Sequence, residues 1–125
     1  MSYEIIWEPR GVVKRYFGHV TSADMVQSVT DVEGNPRFDD LRYVINDFLA
    51  IDDISSSQKD VDDISVLDKG ASFTNPQIRI AVVTISPDVT ALATAYAESS
   101  MNAYPTKIFA SLSEARSWLD APEQA

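Results

Sequence analysis

Leu41-Arg42-Tyr43-Val44-Ile45-Asn46-Asp47-Phe48 decides the fold. The run is nearly all apolar or β-branched, which predicts a central strand buried on both faces, and such strands belong to sheets covered by helices. The flanking residues agree. Asn35-Pro36 breaks the chain before it, and the acidic stretch Asp52-Asp53-Ile54-Ser55-Ser56-Ser57 reads as a loop that opens a helix after it.

Further strands are predicted for Ile78 to Ile85, bounded by Asn75-Pro76 and Ser86-Pro87, and for Thr106 to Ala110. Between them stand helix start signals: Thr21 with Asp24, Ser57 with Asp60, Ser86 with Pro87 and Asp88, and Ser111 with Glu114. Each hydroxyl can accept from an orphan first-turn N–H, and each acid favours the positive end of the helix dipole. The first helix, Ser22 to Glu33, carries Met25, Val26, Val29 and Val32 at helical spacing and stops at Gly34. The second, Ser57 to Phe73, turns Val61, Ile64, Val66, Leu67 and Ala71 inward, with Asp60, Asp62, Asp63 and Asp68 outward. The third runs from Pro87 to about Ser100 on Val89, Leu92, Ala93 and Tyr96. The fourth, Glu114 to Leu119, uses Ala115, Trp118 and Leu119.

The chain opens with a hairpin. Pro9 and Gly11 suit a type I turn closed by a glycine bulge, which would set Glu8 opposite Val12 and Tyr3 opposite Phe17. Its apolar face would then hold Tyr3, Ile5, Trp7, Val13 and Phe17. Right-handed crossovers place the later strands parallel and side by side. The expected fold is α/β, one domain over residues 1–120 with a short tail at 121–125: a mixed sheet of about five strands, an N-terminal antiparallel hairpin and four helices.

Composition narrows the function. With 125 residues the chain can bury roughly two-thirds of its unfolded surface in one core. It has no cysteine, which excludes disulfides, thiolate nucleophiles and sulfur-ligated metal centres. The net charge of −9 opposes binding to nucleic acid or anionic lipid. Nine Asp stand against Arg42 and Lys59 between Asp39 and Asp68, so one side of the molecule is the acidic side. No apolar run reaches membrane-spanning length, and a cytoplasmic protein is the default reading.

The order of elements, with the wording Phe38-Asp39-Asp40-Leu41-Arg42-Tyr43-Val44-Ile45-Asn46-Asp47-Phe48 and Tyr104-Pro105-Thr106-Lys107-Ile108-Phe109-Ala110, resembles the SpoIIAA-like branch of the STAS group, the anti-sigma-factor antagonist fold. In that family an Asp-Ser-Ser-Gly phrase carries a serine phosphorylated by a partner kinase. The corresponding loop here places Ser55, Ser56 and Ser57 after Asp52 and Asp53, with Ile54 between acid and serine and no following glycine. Ser57 therefore reads first as a helix N-cap. The branch is also similar in architecture to CRAL-TRIO lipid-binding domains. That likeness implies an apolar ligand pocket, for which Trp7, Phe17, Phe73, Tyr96 and Tyr104 are the aromatic candidates.

Three functions compete. The first is a non-enzymatic regulatory or interaction module that binds a protein partner or a second copy of itself through the acidic helix and the loop before it. The second is a carrier or sensor of a small apolar ligand or lipid, with membrane contact. The third and weakest is a hydrolase: His19, the lone histidine, would need Asp24 or Glu4 to orient it, and a strand histidine without catalytic duty is the simpler reading. Asp60, Asp62 and Asp63 splay around a helix and lack a calcium-loop pattern. Gly11, Gly18, Gly34 and Gly70 form no phosphate loop. No catalytic residue, metal or cofactor is expected.

Overall fold

Five strands form one sheet in the order β1-β2-β3-β4-β5: β1 (Tyr3–Glu8), β2 (Gly11–Thr21), β3 (Tyr43–Ser55), β4 (Arg79–Val83) and β5 (Thr106–Phe109). The computed structural model describes residues 2–121, so residues 122–125 of the expected tail lie outside the described residues. β1 and β2 are antiparallel, and every later pairing is parallel. The helices are α1 (Ser22–Glu33), α2 (Gln58–Ala71), α3 (Pro87–Glu98) and α4 (Leu112–Asp120), with a short 3-10 helix at Pro36–Asp40. Strand order advances in one direction at each parallel crossover, so crossovers of one hand put α1, α2 and α3 on the same face. α4 covers the other.

Alternation along the strands divides the core. Val12 and Tyr16, Val44 and Phe48, and Ile80 and Val82 pack under α1, α2 and α3. Val13, Ile45, Ala81 and Val83 pack with Ala115 and the partly buried Trp118 of α4. β3 supplies both layers, which explains its near-continuous apolar sequence.

Caps form where the sequence places them. Thr21 Oγ1 accepts the Asp24 N–H at 3.2 Å while the Asp24 carboxylate takes the Thr21 N–H at 3.1 Å. Ser86 Oγ accepts from the Val89 N–H at 3.3 Å, and Ser111 Oγ from the Glu114 N–H at 3.2 Å.

Three expectations need correction. The hairpin closes on a two-residue Pro9-Arg10 turn with Glu8 opposite Gly11 and Tyr3 opposite Tyr16. That one-residue difference puts Val12, Lys14 and Tyr16 on the helix-covered face in place of Val13 and Phe17. A bulge follows, where Gly18 takes φ +63 and the register with β3 shifts. Next, β3 runs on through Ser55, which pairs with Thr21, so the expected loop shrinks to Ser56-Ser57. Finally, α2 is turned about its axis. Asp60 and Asp68 are buried at 8% exposure each, whereas Val66 is 58% exposed and Leu67 lies on the surface. The inward arc is Val61, Ile64, Ser65 and Asp68, an i, i+3, i+4, i+7 set that hydropathy hides because two members are polar.

Gly11 is required by contact. Its Cα lies against the Tyr43 ring, and a methyl group there would fall 2.1 Å from Tyr43 Cζ. Tyr43 is held in place because its hydroxyl donates to Glu8, whose other contacts are two bonds from Arg116 at 3.0 and 2.8 Å. Gly11→Ala is expected to cost about 1–3 kcal/mol through overpacking, read as a lowered urea midpoint with an unchanged slope. A midpoint equal to that of the wild type would overturn this packing account.

Candidate functional site

The β3–α2 junction is tied together by one carboxylate. Asp60 accepts from Ser22 Oγ at 2.6 Å, the Ser57 N–H at 2.9 Å and Ser56 Oγ at 3.0 Å, and Ser57 Oγ lies 3.4 Å away. Burial pulls the Asp60 pKa upward, but these donors outweigh it and hold the group below the usual carboxylate range. Asp62 instead accepts from Gln58, and Asp63 pairs with Lys59, so the three acids do not converge. Among the described residues no group of three or more histidine or carboxylate side chains could hold a metal ion.

Beside the junction, on the ends of β2 and β3, His19 Nδ1 meets Asp53 and His19 Nε2 lies 3.3 Å from Ser55 Oγ. The orienting acid is thus Asp53 and neither Asp24 nor Glu4. All three residues are solvent-exposed, and none lines the cavity described next.

Between the sheet and α1, α2 and α3 lies a cavity of about 110 Å³. Short side chains leave it unfilled, Val29 of α1, Val61 of α2 and Val89 and Ala93 of α3 facing Val44 and Val82 of the strands. Into this apolar space the fold places an unusual polar set. Lys14 of β2 is 6% exposed, and among the described residues no hydrogen bond or ion pair reaches its ammonium group. Its register partner on β3 is Asn46, whose Oδ1 is enclosed without a hydrogen-bond partner. Glu33, the last residue of α1, is pushed up to about 9 by burial and by its hydrogen bond and charge repulsion with Asp68, against a smaller downward pull from Lys14. Asp68 also accepts from the Tyr96 hydroxyl. Burial, then Asp68, drive the Tyr96 hydroxyl well above its ordinary range. The Glu33 carboxyl group therefore keeps its proton and donates it toward Asp68.

Of the aromatic candidates, Tyr96 and Tyr104 line the cavity. Trp7 sits under the Arg37 guanidinium, 5.6 Å from ring centroid to Cζ, near the hairpin turn. Phe17 is half-buried on β2, and Phe73 is 83% exposed in the turn after α2. Ser56 contributes to the cavity wall, Ser57 is the N-cap of α2, and Ser55 is in β3. Sequence reasoning missed Lys14, Glu33, Asn46 and Asp68. One signal was available: Lys14 alternates with Val12 and Tyr16, so correct hairpin register alone would have placed a lysine in the core.

No protein-family model matches this sequence, and no curated protein does. Solved structures do match in shape. The anti-sigma-factor antagonist SpoIIAA in its unphosphorylated form superposes with a TM-score of 0.64 at 12% identity, covering 96% of this chain and 99% of that one. The phosphorylated form of SpoIIAA, a Bacillus cell fate determinant, gives 0.58 at 16% identity, with 94% and 98% covered. An uncharacterised DUF3478-family protein from Shewanella loihica, described as having a SpoIIAA-like fold, gives 0.55 at 14%, with 94% and 91% covered. The chain has a SpoIIAA-like STAS fold. No helix among the described residues is long and apolar enough to cross a membrane.

The proton held by Glu33 has a pH signature. Between the ordinary Glu value of 4.5 and about 9, folded Glu33 retains a proton that the unfolded chain has released, so its contribution to stability falls as pH rises through that window. Glu33→Gln keeps a hydrogen-bond donor to Asp68 and removes the titration. In urea melts the variant should equal the wild type at the acidic end and exceed it progressively toward the alkaline end. Parallel stability profiles for the two proteins would overturn the raised pKa of Glu33.

Proposed function

We propose that this protein is a non-enzymatic regulatory module of the cytoplasm that binds a protein partner through the outer face of α2. The observation that carries this reading is the inverted helix: α2 buries Asp60 and Asp68 and leaves Val66, Leu67 and, in the following turn, Phe73 on the surface. A helix whose outer face needed only water would carry the opposite arrangement. Asp62 and Asp63 border these apolar residues, and Asp39 lies across the shallow groove that Val66 and Leu67 help to line. A partner with basic residues around an apolar anchor fits that surface, whereas an isologous pair of these chains would set acidic faces against each other. The likeness to anti-sigma-factor antagonists supports a regulatory interaction.

The serines of the junction are read as structural. A phosphoryl group on Ser56 or Ser57 would stand beside Asp60, the carboxylate that those residues now hydrogen-bond. The cavity supports a second role within the same module, the holding of a small apolar ligand.

The test places a photo-crosslinking residue at position 66 or 73 in the cells that make this protein. A discrete adduct is expected that weakens in raised salt and is lost when Leu67→Asp is introduced alongside; a crosslinker at Ile85, also exposed, should give none. Equal adducts at all three positions, or none, would overturn the assignment. Native mass spectrometry should show a monomer, and a dimer dissolved by Val66→Asp would give the face to a second copy instead.

A further inference from the structure

We propose that the cavity under α1, α2 and α3 is a binding site for a small neutral molecule with an apolar body and one hydroxyl group. The hydroxyl oxygen accepts from the Lys14 ammonium, and the hydroxyl proton is donated to Asn46 Oδ1. The inference rests on the second role named above and gives it a ligand class.

Two unsatisfied groups of opposite kind face the same space. Lys14 is 6% exposed and its ammonium group meets no hydrogen-bond or ion-pair partner among the described residues, while Asn46 Oδ1 is an enclosed acceptor with no donor. They are neighbours on adjacent strands, on the face that the helices cover. Buried polar groups are ordinarily paired, so an enclosed orphan acceptor beside an unpaired ammonium group fits a partner that both accepts and donates. A hydroxyl is the smallest group that does both.

Water alone fits poorly. An ordered buried water needs two to four polar partners, and one molecule between Lys14 and Asn46 would use both of these. The rest of the 110 Å³ cavity is walled by apolar side chains such as Val29, Val89 and Ala93, apart from the Glu33, Asp68 and Tyr96 groups that already engage one another. An apolar body fills that remainder. The scale is that of a small ring or short chain, since an engineered protein cavity of about 150 Å³ takes up benzene.

Charge selects a neutral ligand. Burial and the neighbouring Asp68 already disfavour the charge on Glu33, and a further carboxylate there would meet the same penalty. A cationic ligand would meet Lys14. A neutral guest adds no charge beside either group.

The test titrates phenol and 1-butanol into the full-length protein and follows backbone amide NMR shifts, with benzene as the hydroxyl-free control and benzoate as the anionic one. Saturable shifts centred on Lys14, Asn46 and Val82 are expected, with phenol binding at least about tenfold tighter than benzene or benzoate. Lys14→Met and Asn46→Leu should each erase the preference for phenol over benzene. Absence of saturable shifts with either alcohol, equal affinity for phenol and benzene in the wild type, or an undiminished preference in both variants would overturn the site. The wild-type comparison stands even if a variant does not fold. Failure here leaves the cross-linking result on α2 untouched, so the two readings fail separately.

Discussion

β3 is the constraint on which the rest depends. It is hydrogen-bonded along both edges, to β2 and to β4, and Val44, Ile45 and Phe48 are buried against helices on one side or the other. A strand enclosed in this way leaves no slack in its register, because a one-residue slip would exchange its two faces. The position of every other element follows. β2 is locked to β3 along nearly its full length, β2 fixes the hairpin, and the crossovers from β2, β3 and β4 must return over the same face.

α2 shows how much of its placement owes to polar groups. Asp60 fastens its first turn to serines from α1 and from the junction. Asp68, two turns on, is engaged by Glu33 of α1 and Tyr96 of α3. These contacts fix the rotation of the helix, and Val61 and Ile64 fill the space between them. Breaking such a buried set costs more than its formation contributes, so it specifies one orientation among several that apolar packing would accept.

Strands, helices, their order and the four cap positions were legible in the sequence because each rests on local chemistry: β-branched runs, helical spacing, a hydroxyl before a first turn. The hairpin register was not, because Pro9-Arg10 and a glycine bulge are both compatible with the same residues, and the contact of Gly11 with Tyr43 of β3 lies outside the hairpin. The rotation of α2 was hidden for a related reason. Asp68 is engaged by a glutamate 35 positions away and by a tyrosine 28 positions away, and no window of the chain contains both. The serine loop and the aromatic residues were found as residues, but the cavity belongs to Lys14, Glu33 and Asn46, which look like ordinary surface residues until the sheet is assembled.

The strand order also bears on how the protein is made. Each new strand emerging from the ribosome joins the edge left by the one before it, so the sheet can grow in the direction of synthesis without any earlier pair being opened to admit a later strand. The exception is the clamp between Glu8 and Arg116, whose partners are 108 positions apart. Until α4 arrives, the turn that begins the sheet and the Tyr43 ring above Gly11 lack that support. Sequential addition of strands therefore ends in the docking of α4, which also sets Ala115 against Val13 and Ile45, and contacts of this separation are the slow ones in folding.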